Sequence, residues 1–267
     1  MLKKLYRYEF FSLFRSLLPI YAAVIGFSLL SRLTNMFVLQ IDTKVTTILS
    51  VLINTLYGFS MVAVSVVGLV VIVMRFYKNL LRDEGYLTFS LPFSPTQHIF
   101  CKLICGLVVL FIDAIVVLLS LFMLGIGTDF MHELFKLFQN GIHAFVTAYS
   151  VKRLVFVAAE VGLTILVAAF QSVLMFYASI AIGQQFKSRI GGAVIAYICF
   201  YAAIQTFNSI LLSVIFALNF DRMETFFENS LLGFQTALLF PLIEGILLSV
   251  VYFVITRHFL TKKLNLE

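Results

Sequence analysis

Val45 to Met74 reads VTTILSVLINTLYGFSMVAVSVVGLVVIVM, with no charged side chain anywhere in it, and this stretch decides the fold. An uncharged run longer than about 18 residues can satisfy its backbone hydrogen bonds in lipid only as a helix or as part of a closed barrel. The run is continuously apolar rather than alternating, so it is a helix. The rest of the chain agrees with that reading. Of 267 residues, 61% are hydrophobic and 12% charged, there are 30 Phe, and the mean hydropathy is +1.04, more apolar surface than a soluble domain of this length has core to bury.

Five further runs of the same kind flank this one, which makes the expected fold an all-α, polytopic membrane domain of six spans covering residues 1–267. The first runs from Ser16 to Ile41 and contains Arg32, placed to snorkel from the outer end. The third, Leu103 to Thr128, carries Asp113; the fourth, Leu154 to Gly183, carries Glu160; the fifth, Ile190 to Phe220, is free of charge. The sixth lies within Asn229 to Thr256 and contains Pro241 and Glu244.

An even number of crossings puts both termini on one side, and the basic residues choose the side. With cytoplasmic termini, the inner segments hold Lys3, Lys4, Arg7, Arg15, Arg75, Lys78, Arg82, Lys102, Lys187, Arg189, Arg257, Lys262 and Lys263. The outer ones keep Arg32, Lys44, Lys136, Lys152, Arg153 and Arg222. This is the positive-inside pattern over short loops. The net charge of +6 therefore reads as topology in a cell membrane, with no nucleic-acid partner. Cys101, Cys105 and Cys199 form no CxxC pair and read as inert buried thiols; His132 and His143 lack the neighbours a metal site needs, so no metal is expected. The basic start followed by an apolar run is read as a retained first helix rather than a cleaved leader.

Three segments outside the spans have their own character. Residues 1–15, MLKKLYRYEFFSLFR, interleave basic and aromatic side chains at helical spacing, as suits an interfacial helix; a plain extension of the first span is the other reading. The outer loop 129–153 includes FMHELFKLF, a short amphipathic helix. Residues 221–240 stop at Pro241, which favours a re-entrant outer hairpin followed by a last span from about Pro241 to Phe259; a single tilted helix over Asn229 to Thr256 is the alternative.

The inner interval 75–102 is the most informative. Ser94-Pro95-Thr96-Gln97 has an N-cap Ser, Pro at the first helical position and Gln at the third, a capping box. A helix from Pro95 to Gly125 is about 46 Å long against about 30 Å of hydrocarbon, so it protrudes into the cytoplasm. Upstream, Gly85 after Asp83 and Glu84 supplies a helix stop. Between stop and restart lie Tyr86, Leu87, Phe89, Leu91 and Phe93, a cluster of large apolar residues expected either to contact a protein partner or to fold back into the headgroups.

The stretch RFYKNLLRDEGYLTFSLPFSPTQHIFCKL, Arg75 to Leu103, resembles the first cytoplasmic loop of membrane (permease) subunits of ABC-2 type ABC transporters, exporters of the Gram-positive bacterial type. The terminal KKLNLE, Lys262 to Glu267, resembles the ending of such subunits, and the six-span plan is similar over the whole chain. The resemblance implies that two membrane subunits, identical or homologous, pair in the bilayer, and that each docks a separate ATPase subunit through a coupling helix in the loop. ATP and Mg would be bound by that ATPase, not by this chain. It implies an interface at Arg82, Asp83, Glu84, Gly85, Tyr86, Leu87, Phe89 and Leu91, the docking piece being either Arg75 to Glu84 or Tyr86 to Leu91. The inner loop GQQFKSR, Gly183 to Arg189, would add Gln185 and Lys187. This sequence contains no GxxxxGK[ST] phosphate loop.

Charge inside lipid is costly and marks function by default. Asp113 falls about 15 Å into its span, near the midplane, while Glu160 and Glu244 fall near the outer ends of theirs. All three are candidates for a substrate pathway; as structural groups they would make interhelical hydrogen bonds. The expected function is export of an amphipathic peptide, drug or lipid-like molecule. The alternative is a proton-driven secondary transporter using Asp113, Glu160 and Glu244. An intramembrane enzyme has less to support it, because neither HExxH nor GxSxG occurs.

Overall fold

The structure is a computed structural model, and it describes residues 2–40, 43–81, 94–126, 128–219 and 230–262. Seven helices and no strand occur among the described residues: α1 Leu2–Gln40, α2 Lys44–Leu81, α3 Pro95–Gly125, α4 Asp129–Ala148, α5 Val151–Gly183, α6 Arg189–Asn219 and α7 Ser230–Lys262. All but α4 are long and apolar enough to cross a bilayer, which makes this a multi-pass membrane protein with six candidate spans.

The described helices are longer than hydrocarbon requires. The 38 residues of α2 reach about 57 Å and the 31 of α3 about 46 Å. The start of α3 is fixed by the expected box: Gln97 N–H donates to Ser94 Oγ at 3.4 Å, and Ser94 N–H donates to Gln97 Oε1 at 3.0 Å. Each side chain thereby satisfies a backbone donor that the first turn leaves open.

Two expectations about helix ends are corrected. Residues 1–15 do not form an interfacial helix separate from the first span, because α1 is continuous from Leu2 through Arg15 to Gln40. No Gly or Pro precedes Pro19, the Phe10, Phe14 and Tyr21 rings follow one another at 5.9 and 6.1 Å across the expected junction, and Glu9 is tied to Arg75 of α2. Likewise α7 does not begin at Pro241 but runs through it from Ser230. A proline removes one helical hydrogen bond and kinks the axis, which a helix with ample turns on both sides absorbs. The helix therefore covers residues 230–240 of the expected hairpin, and residues 220–229 lie outside the described residues.

The chain divides into two compact units. The first comprises residues 1–75 and 104–150. Along α1 its buried stripe is Leu13, Leu17, Tyr21, Val24, Ser28 and Ser31, at steps of three or four; along α2 it is Ser50, Tyr57, Val64, Gly68 and Ile72. Serine and glycine recur in these stripes because lipid offers no hydrophobic drive for helices to associate, so close backbone approach and hydrogen bonds must hold them. Tyr57 Oη and Ser120 Oγ share a hydrogen bond at 3.0 Å between α2 and α3, and Ser31 donates to Asn54 between α1 and α2. Arg32, expected to snorkel, instead donates from Nη1 to the Met123 carbonyl at 2.8 Å, near the C-terminal end of α3 where carbonyls lack helical partners. Helix α4 is amphipathic and extends well beyond FMHELFKLF; its Phe135, Leu137 and Phe138 are exposed.

The second unit comprises residues 76–103 and 151–267 and is organised around α5, which packs against both α6 and α7. Between Val173 and Ala181 almost every α5 side chain is buried, so this half of the helix is enclosed on several faces. Gly245 of α7 permits the close approach: a Cβ there would lie 2.7 Å from Val167 Cγ1 and 3.2 Å from Gln171 Oε1 of α5. Cys101 and Cys105 are buried as expected, but Cys199 on α6 is exposed.

Candidate functional site

Three places in the chain carry chemistry that packing alone does not require. The first lies in the first unit, where α1, α2 and α3 converge on Asp113. Tyr21 Oη donates to Asp113 Oδ1 at 2.6 Å; the carboxyl is 5% exposed, and its Oδ2 has no hydrogen-bond partner. Gly68 of α2 faces that oxygen so closely that a Cβ at this position would overlap the carboxyl group. The sequence reading singled out Asp113 but neither Tyr21 nor Gly68. An aromatic five positions from the start of one span and a glycine within another carry no signal until the helices are brought together.

The second place joins helix ends within the second unit. The Phe76 ring stacks on Tyr177 with centroids 3.8 Å apart and planes at 11°, and Tyr177 Oη donates to the Lys102 carbonyl at 3.3 Å. Phe76, Leu80, Ile99 and Leu103 are all buried. Phe76 precedes the interval 82–93, Lys102 follows it, and Tyr177 precedes the turn 184–188, so both connections leave the helices at the same end of this unit. On that turn Ser188 precedes α6, its carbonyl accepting from Gly192 N–H at 2.8 Å, and Gln185 and Lys187 are exposed. The expected interface residues Arg82, Asp83, Glu84, Gly85, Tyr86, Leu87, Phe89 and Leu91 lie outside the described residues.

The third place is an apolar groove of about 480 Å³ between α6 and α7, with Glu244 among its walls. Glu244 stands about 21 Å from the first residue of α7 and about 27 Å from the last, six residues into the candidate span Leu238–Lys262. Glu160, on α5 of the same unit, is 8% exposed with Oε2 unpartnered, and it is not a wall of this groove. The two outer carboxylates of the sequence reading thus have separate settings.

Comparison with protein-family models, with curated proteins and with solved structures finds no match. The class that the fold defines is an α-helical multi-pass membrane protein with six candidate spans.

Proposed function

We propose that this chain is the membrane-spanning subunit of an ABC-2 type exporter, moving an amphipathic or hydrophobic cargo under the control of ATP hydrolysis on a separate ATPase subunit. It works as a pair of membrane subunits in the plasma membrane with its termini in the cytoplasm. The ATPase docks on residues 82–93 and on the turn carrying Gln185 and Lys187. ATP and Mg belong to that partner.

The observation that carries this reading is the Phe76–Tyr177–Lys102 contact. A coupling loop transmits force only if it is mounted stiffly, since a compliant mount absorbs the displacement before it reaches the spans. Here both helices flanking residues 82–93 are clamped to α5 by a stacked ring pair and a buried hydroxyl. The connection 184–188 follows directly from that same α5, so the two inner connections move as one body.

The test is a pull-down of this chain from its native cells, read for a co-purifying ABC ATPase. Tyr86→Asp, Leu87→Asp and Phe89→Asp are expected to release the ATPase while the membrane subunit still purifies as a monodisperse species. Retention of the ATPase with coupled hydrolysis in all three variants overturns the docking assignment. Transport that follows the proton gradient and ignores the ATPase supports the alternative reading instead.

A further inference from the structure

We infer that α4 is a membrane-surface anchor, with its apolar stripe seated in the boundary between headgroups and acyl chains of the leaflet in which α3 ends. The stripe is Met131, Leu134, Phe135, Phe138, Ile142 and Phe145, at steps of one, three or four that keep to one side of a helix. The opposite side holds His132, Glu133, Lys136 and His143. Phe135 and Phe138 are each 70% exposed, and Leu134 and Ile142 are exposed beside them, so the first unit leaves a contiguous apolar patch open.

The occupant follows from the roll of the helix and from its tethers. Met131 belongs to the stripe, and it lies against Gly125 in the last turn of α3 so closely that a Cβ there would overlap its terminal methyl. The stripe therefore faces the side from which the span arrives. Only residues 126–128 separate α4 from α3, with Thr128 N–H donating to the Gly125 carbonyl at 3.1 Å and Met131 N–H to the Thr128 carbonyl at 3.2 Å. At the other end only Tyr149 and Ser150 precede α5. Because α3 and α5 are consecutive membrane-length helices on either side of α4, both its ends belong to one bilayer surface. Twenty helical residues reach about 30 Å and the link to α5 about 10 Å, so an upright α4 would lift the start of α5 about 20 Å out of the bilayer. That start suits lipid rather than water, since Val151, Val155 and Phe156 are exposed there; Phe122 and Ile126 likewise carry exposed apolar surface to the end of α3. The helix thus lies along the surface with its stripe toward the acyl chains. Glu133 and Lys136 offset one another, so apolar area rather than attraction to a charged headgroup holds it. The anchor is the same for either orientation of the chain and for either transport mechanism.

The chain contains no tryptophan, so Phe138→Trp places a single fluorescent reporter on the stripe and Lys136→Trp places one on the opposite side. Each full-length variant is reconstituted into phosphatidylcholine vesicles, either with acyl chains dibrominated close to the headgroup or with iodide in the water on both sides of the membrane. Emission of Phe138→Trp is expected to fall about twofold in brominated lipid and to hold against iodide, as for a ring about 5–10 Å into the boundary. Lys136→Trp should respond in the reverse sense. Phe135→Trp, on the same stripe, should repeat the behaviour of Phe138→Trp and decides the matter if that variant fails to fold. Iodide quenching of Phe138→Trp as strong as that of Lys136→Trp overturns the inference by putting the stripe in water. Protection of Phe138→Trp from both quenchers overturns it by showing that protein, such as a second copy of this chain, covers the stripe. Equal quenching of the two variants by bromine overturns it by immersing the whole helix.

Discussion

At the scale of single residues, the first unit turns on Asp113. Its position in the third span is plain in the sequence, but its partners come from two other helices: Tyr21 donates to one oxygen and Gly68 makes room for the other. Interhelical hydrogen bonds in membrane proteins contribute about 1 kcal/mol. A double-mutant cycle of Tyr21→Phe and Asp113→Asn, read by unfolding in mixed micelles, is therefore expected to show a coupling of about that size. Non-additivity near zero would mean that the hydrogen bond contributes nothing measurable. Gly68→Val in the same assay should lower stability further than Tyr21→Phe does, because its side chain must displace a buried carboxyl group rather than leave one unpaired.

Among the elements, α3 is set by its first turn and α2 by its length. The Ser94–Gln97 box replaces two missing helical partners, and an N-cap of this kind is worth about 1 kcal/mol. Ser94→Ala is expected to raise hydrogen exchange of the amides of residues 96–98 by a factor of about five. Exchange at residues 105–115 should not change, because those amides are bonded deep within the helix. An equal rise in both regions would show that the box holds the helix as a whole rather than its end. The same scale explains the two corrected boundaries. A proline is the strongest local signal for a break, yet neither Pro19 nor Pro241 ends its helix. The alternative in lipid is exposed backbone, which costs more than one lost bond.

For the whole molecule, the prediction concerns orientation. From the distribution of basic residues, the termini and the turn 184–188 are expected in the cytoplasm and α4 outside. In a background with native cysteines replaced, Lys187→Cys should react with an impermeant maleimide only after cells are opened, and Lys136→Cys should react in intact cells. The reverse pattern would invert the topology and remove residues 82–93 from the reach of any cytosolic ATPase.

Much of the architecture was legible because lipid imposes one rule that a linear sequence records directly. A long uncharged run must be a helix, so the six spans and the cap at Ser94 could be read from composition and local spacing. Asp113, Glu160 and Glu244 were legible as outliers for the same reason. What each of them does was not, because that depends on which helix lies opposite. The packing of helices assigned Tyr21 and Gly68 to Asp113, joined Phe76 to Tyr177 and Lys102, and set Glu244 beside an apolar groove. Satisfying the backbone in lipid is local and so is written in the chain; satisfying a buried side chain needs a partner distant in sequence, and only the tertiary structure supplies it.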